Sequence, residues 1–292
     1  MANYQYRIID GALFRREPQP YAYDIRIHDL GNGHGEGVAL PRHAWHEVAL
    51  VTPEALAMAE MSANHVFVGG EWVPDVPSEQ ELLDRAARNR ERSARRSRTQ
   101  VRRLVKAKNL TTMLTLTYRE NMDDRARMAR DFDVFMKRVR RVFPGFEYVC
   151  VFERQKRGAW HAHIACPRVL SHYMHKGTLV KSYDLLRAVW RAVVGDGNVD
   201  VSKAMRRSKS LAKLAGYLSK YIGKTFGEQH EGDSYRASGK ALPKPTITRC
   251  LSADPSQART DLIYAMEAAF GSGTEFHIAF LDGGGFFYSL SP

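Results

Sequence analysis

Cysteine is scarce in this 292-residue sequence, with three residues at Cys150, Cys166 and Cys250. An odd number of thiols makes no even disulfide framework, and the apolar, strand-like settings of Cys150 and Cys166 suit core thiols. No apolar run nears the roughly 20 residues that a spanning helix needs. The stretch Met1-Ala-Asn-Tyr-Gln-Tyr6 has no signal-peptide pattern. These absences lead to the expectation of a soluble intracellular protein that does not engage a membrane. A nucleotide motor is missing too. Gly223-Lys-Thr225 looks like the end of a phosphate-binding P-loop, but the glycine required five residues earlier is Leu218. No nucleotide cofactor is therefore expected.

Acid is also short. Asp and Glu number 32 against 44 Lys and Arg, for a formal net charge of +12. The excess is localised. Residues 85–108 carry eleven Lys/Arg and one acid, Glu91, a net of +10 that leaves only +2 for the rest of the chain. Few helix breakers interrupt this stretch, so it reads as a helix. One acid cannot balance eleven bases as a salt-laced solvated face would, so the segment suits a polyanion. Arg95, Arg96, Arg98, Arg102, Arg103, Lys106 and Lys108 are its candidate phosphate-backbone contacts. Such contacts give affinity and salt dependence but no sequence choice.

The stretch before this basic segment says less. Asn3 to Ile9 and Ala22 to Ile27 alternate weakly, as strands do. Gly31 to Gly37 is a loop by composition. His43 and His46 would converge only on a helix and lack a third ligand, so they read as ordinary surface or core histidines. Trp72 to Pro77 reads as a linker or turn.

Further along, Leu110 to Tyr118 alternates as a strand. Asn121 or Asp123 can cap a helix running to about Val142, with Met128, Phe132, Phe135 and Val139 at core spacing. Phe146 to Glu153 and Trp160 to Cys166 read as strands joined by a turn at Arg154 to Gly158. His161 and His163 are two apart, so they share one strand face. Two imidazoles in an otherwise apolar strand suggest a metal. If Glu153 pairs opposite His161, its carboxylate joins them, and a one-residue slip would remove it. Ser171 to His175 is taken as a loop whose two histidines lack partners. Tyr183 to Val194 reads as a helix, Gly195 to Asn198 as a turn and Val199 to Val201 as a short strand. Residues 227–250 look loop-like. Pro255 to Phe270 reads as a helix, and Phe276 to Leu281 with Phe286 to Leu290 as a hairpin.

Between Ser208 and Lys224 lies a helix carrying Tyr-x-x-Lys twice, as Tyr217/Lys220 and Tyr221/Lys224. Relative to Tyr217, the other three fall at roughly −60°, +40° and −20° around the axis. Two phenols and two ammonium groups therefore share a stripe, beside an apolar one formed by Leu211, Leu214, Leu218 and Ile222.

Leu114-Thr-Leu-Thr-Tyr118, His161-Ala-His163 and Tyr217-Leu-Ser-Lys-Tyr-Ile-Gly-Lys224, in this order, resemble the three motifs of the HUH (His-hydrophobic-His) endonucleases. More narrowly, they are similar to two-tyrosine rolling-circle replication initiators, the gene A-type and filamentous-phage initiators among them. Ala162 stands where bulkier residues are usual. The resemblance covers about residues 100–226. It implies an α+β fold, a central antiparallel sheet flanked by helices, with N-terminal and C-terminal additions. On this division residues 1–84 have no assigned role, 85–109 form the basic helical segment, 110–226 the nuclease core and 227–292 an accessory region. The resemblance further implies that His161, His163 and Glu153 hold Mg²⁺ or Mn²⁺, and that Tyr217 and Tyr221 are nucleophiles assisted by Lys220 and Lys224. It also implies single-stranded origin DNA, a host helicase and a host polymerase as partners in the bacterial cytoplasm. Competing readings are a relaxase, which typically has a third metal-site histidine and an N-terminal tyrosine, a single-tyrosine transposase, and a non-catalytic DNA-binding protein.

Overall fold

The computed structural model describes residues 5–50, 52–54, 57, 65–68, 71–74, 76–202, 211–226, 235–239, 241–252, 254–273, 275–281 and 283–292. Asn3, Ser208 and the Lys224 side chain, all named above, lie outside the described residues and side chains. In chain order the elements are β1 (Gln5–Ile9), β2 (Ala12–Asp29), β3 (Gly35–Leu50), β4 (His65–Val68), β5 (Glu71–Pro74) and α1 (Glu79–Ala107). Then come β6 (Thr112–Tyr118), α2 (Arg125–Val142), β7 (Val149–Arg154), β8 (Trp160–Cys166), β9 (His172–His175), β10 (Thr178–Lys181) and α3 (Ser182–Val194). The last are β11 (Gly197–Ser202), α4 (Leu211–Phe226), β12 (Arg236–Ala237), β13 (Thr246–Leu251), α5 (Pro255–Phe270), β14 (Glu275–Leu281) and β15 (Gly285–Ser291). The fold is α+β, with antiparallel sheets and flanking helices.

The chain divides into two compact units. Met1–Asp29, Gly35–Ala87 and Lys244–Pro292 form the first, and Leu30–His34 with Arg88–Pro243 form the second. In the first unit, strands from both ends of the chain share one antiparallel sheet ordered β1-β2-β3-β15-β14, with β13 on the edge of β2. Asp10 and Gly11 both have positive φ, 48° and 78°, and join β1 to β2 through the two-residue turn that the right-handed strand twist favours. Helix α5 covers one face through Ala258, Leu262 and Met266. Its N-cap is Asp254, which accepts the Gln257 N–H at 2.8 Å.

Several local expectations change here. His43 and His46 lie in β3, opposite Pro18 and Arg15. At a spacing of three on a strand they point to opposite faces. Trp72 pairs with Phe67 in the β4–β5 ladder rather than in a linker.

The second unit is built on a five-stranded antiparallel sheet ordered β11-β6-β8-β7-β12. Alternation gives it two apolar faces. Leu114, Leu116, Cys150, Phe152, Ala162 and Ile164 face α2 and α3, where Phe132, Phe135 and Trp190 are fully buried. Met113, Val149, Val151 and Ala165 face the last turns of α1, through Val101, Leu104 and Val105, and helix α4, through Leu214, Leu218 and Ile222. The N-cap of α2 is Asp124, which accepts the Arg127 N–H at 2.9 Å, rather than Asn121 or Asp123. The reason is β8: Trp160 donates its backbone N–H to the Met122 carbonyl and its indole N–H to the Asp123 carbonyl, holding those residues extended. Residues 172–175, expected as loop, pair with β10 across a Lys176-Gly177 turn whose φ values are again both positive. His172 and His175 therefore point to opposite faces.

Tyr118 yields a pH prediction. It lies in the α2/α3 core and donates a 2.8 Å hydrogen bond to Asp131. Burial, then that carboxylate, push its phenol well above the ordinary value near 10. The folded chain thus holds a proton that the unfolded chain releases, so this stabilising contribution is full below about pH 10 and falls as pH rises above it. Chemical denaturation across pH 8–11.5 is expected to show a smaller alkaline loss for Tyr118→Phe than for the unaltered chain. Parallel curves would contradict this.

Candidate active site

The site is assembled across three strands. In β7 and β8, Glu153 stands directly opposite His161 and Val151 opposite His163. From β6, Thr115 stands opposite His163 on its other side. The period of two then puts Thr115, Glu153, His161 and His163 on one face, the α4 face. The tight turn at residues 155–159, closed by Gln155 N–H to the Ala159 carbonyl at 2.9 Å, fixes this register.

All three candidate ligands are buried. Glu153 Oε2 and His163 Nε2 are hydrogen-bonded at 2.8 Å, and Thr115 Oγ1 lies 3.3 Å from His163 Nδ1. The Gln155 amide nitrogen lies 3.0 Å from His161 Nδ1. Burial, and then the neighbouring His163 and Arg157, lower the His161 pKa to about 4 against a weaker opposing pull from Glu153. His161 is therefore neutral at pH 7, the form that ligates metals. Its Nε2 is buried and has no hydrogen-bond partner among the described residues.

Among the described residues no three His, Cys, Asp or Glu side chains form a ready metal cluster; the Glu153–His163 hydrogen bond engages two of the three candidates with each other. The donor set nonetheless fits a divalent ion. It offers two imidazoles and a carboxylate, and the unsatisfied His161 Nε2 is the kind of buried polar atom that a bound cation would account for.

Helix α4 brings the tyrosines to this face. The Tyr221 ring lies flat on His163, with centroids 3.9 Å apart and planes 8° from parallel. Tyr217 meets Tyr221 edge-to-face at 5.2 Å, and the Tyr221 hydroxyl donates to the Tyr217 oxygen. The two differ in access: Tyr221 is 7% exposed and Tyr217 46%. Burial, then the hydrogen bond to Tyr217, push the Tyr221 phenol well above its ordinary value.

The four-residue stripe therefore splits. Tyr221 falls only about 20° from Leu214 on the helix and joins the apolar face, Tyr217 stands at the rim, and Lys220 points to solvent. The basic segment also splits. Lys106 is 2% exposed, and Lys108 pairs with Glu147 at 2.6 Å with its side chain 8% exposed. Neither offers a surface ammonium, because the end of α1 is packed on the sheet. Arg95, Arg96 and Arg98 are exposed, while Arg102 and Arg103 are half-buried.

Two polar partners were absent from the sequence reading. Thr115 was detectable, since it lies mid-strand in the first motif with the parity that reaches His163. Gln155 lies in a turn with no periodicity to flag it.

A family model for replication-associated proteins of the ORF2 type matches residues 111–226, less than half the chain. The matched stretch contains β6, the β7–β8 hairpin and α4, and the similarity supports a replication-associated role. No curated protein and no solved structure gives a significant match.

The unequal exposure of the tyrosines is open to chemical labelling. Limiting tetranitromethane on the native chain is expected to nitrate Tyr217 and to spare Tyr221 until the chain unfolds. Equal labelling of both would contradict the stack on His163.

Proposed function

We propose that this chain is a rolling-circle replication initiator, a metal-dependent nuclease that nicks and rejoins single-stranded origin DNA through a covalent 5′-phosphotyrosine. The observation that carries the reading is the seating of Tyr221 on His163 with Tyr217 hydrogen-bonded to it. A helix bearing two phenols thereby meets a polar patch on an otherwise apolar sheet face.

Tyr217 attacks first. It is the exposed phenol, and its oxygen receives a hydrogen bond from Tyr221, which stabilises a developing phenolate. An unassisted phenol, with pKa near 10, is a poor nucleophile at neutral pH. In the step, the bond between phosphorus and the 3′ oxygen breaks and a bond to Tyr217 Oη forms. The phenolic proton is balanced by the one the departing 3′-OH takes up. Rejoining reverses this with another 3′-OH, so one diester replaces another and no ATP is consumed. His161, His163 and Glu153 hold Mg²⁺ or Mn²⁺, which when bound supplies Lewis-acid polarisation of the phosphate and stabilises charge on the leaving oxygen. Lys220, on the solvent side, and Lys224 draw the phosphate. Tyr221 makes the second cut after leaving its stack. The released 3′-OH primes a host polymerase behind a host helicase, in the bacterial cytoplasm.

The burial of Tyr221 favours a second reading, in which Tyr217 is the sole nucleophile and Tyr221 only positions it. A denaturing gel with a labelled single-stranded library, in Mg²⁺, Mn²⁺ or EDTA, separates the two. The two-nucleophile account expects a metal-dependent covalent band that survives Tyr217→Phe or Tyr221→Phe singly, is lost in the double variant and is lost in His161→Ala. Loss with Tyr217→Phe alone would establish the one-tyrosine reading. Salt-sensitive binding without any covalent band would leave a DNA-binding protein.

The exposed arginines of α1 make phosphate contacts in this account. Replacing Arg95, Arg96 and Arg98 together by alanine is expected to flatten the log–log salt dependence of single-strand binding by roughly 2 units, about 0.7 per contact. Lys108→Ala should instead lower thermal stability and leave the slope unchanged. The reverse pattern would place the DNA on the packed end of α1.

A further inference from the structure

The second unit carries a cavity of about 510 Å³ at the outer edge of its sheet, between β11, residues 169–172 and the start of α3. That volume is within the usual range for a small-ligand site. Val169, Leu170 and Val199 give it an apolar floor, and His172, Lys181 and Arg187 give it a basic side. The Arg187 guanidinium stacks over the Tyr183 ring at 4.6 Å from its centroid. Its Nε is buried and has no hydrogen-bond partner among the described residues. Helix α3 opens after Lys181, whose side chain makes no capping bond. A lysine carries donors only, so the N–H groups of the first turn receive no acceptor from the cap.

These features are complementary to a nucleotide. A base suits the apolar floor and the stacked aromatic–guanidinium pair. A phosphate suits the orphan Arg187 donor, Lys181 and the uncapped helix start. Position adds to the argument. Asp200, also lining the cavity, pairs opposite Thr115, which pairs opposite His163. With strands about 4.8 Å apart, the wall formed by β11 lies roughly 10 Å from the strand of His163. A DNA strand engaged at Tyr217 reaches it within a few nucleotides.

We propose that this cavity holds one flanking nucleotide of the single-stranded DNA substrate and so contributes to the choice of cleavage position. The proposal rests on the nicking reading for its substrate, but its test does not need cleavage. An oligonucleotide selected from a random single-stranded library by binding in EDTA is rebuilt with one abasic site moved through it. Affinity for the full chain is measured by fluorescence anisotropy. The unaltered chain is expected to lose about tenfold in affinity when the abasic site reaches one particular position. Arg187→Ala and, separately, Tyr183→Ala should abolish that position-specific penalty, and Arg187→Lys should keep part of it. A flat scan in the unaltered chain, or a penalty that persists undiminished in both alanine variants, would overturn the proposal. A localised, Arg187-dependent penalty without any covalent adduct in metal would remove the nicking reading and keep the cavity. An adduct with a flat scan would do the opposite.

Discussion

Side chains alternate along β6, β7 and β8, and this period of two governs what the second unit can do. In register, even-numbered residues such as Leu114, Phe152, Trp160 and Ile164 fall on the side of α2 and α3 and build the larger core. Odd-numbered residues fall on the side of α4, where Met113, Val149, Val151 and Ala165 hold the helix and Thr115, Glu153, His161 and His163 form the polar patch. A slip of one residue between β7 and β8 would send Glu153 into the opposite core and leave His163 without its carboxylate. The hydrogen-bonded turn at residues 155–159 guards against that slip.

Burial also sets the charge state of the site. It drives His161 toward its neutral form and keeps Tyr221 protonated, so neither carries charge at pH 7. A neutral imidazole and a neutral phenol donor are the forms that ligand binding and nucleophile support require. The same burial makes the tyrosines unequal: one ring is a packing element against His163, while the other has water on one side. Two chemically identical residues one turn apart thus take different first roles by position on the helix alone.

The hairpin was legible in the sequence because its constraints are local. A short turn and two alternating strands leave few registers, and the expected Glu153–His161 pairing is the one found. The helices at 125–142, 182–194 and 255–270 were legible from apolar spacing, with ends displaced only slightly. The inward turn of Tyr221 was not. The helical wheel put it between the tyrosine stripe and the apolar stripe, and only the ring of His163, distant in sequence, decides between them. Lys106 and Lys108 read as surface cations by composition and are buried by a tertiary contact that composition does not encode. The first-unit sheet was equally hidden, since β15 pairs with β3 and β13 with β2 across most of the length of the chain, with no local pattern to announce either pairing. The Asp10-Gly11 turn, by contrast, carried a local hairpin signal that was available and unused.

The central claim is that the exposed phenol of α4, supported by its buried neighbour on His163, becomes the point of covalent attachment to DNA. The most direct measurement is mass spectrometry of the protein after reaction with single-stranded DNA in Mn²⁺, followed by nuclease trimming and proteolysis. The account predicts a peptide spanning residue 217 that carries a nucleotide through phosphate on Tyr217, with Tyr221 modified less. Attachment to neither tyrosine, with the DNA cleaved all the same, would contradict it.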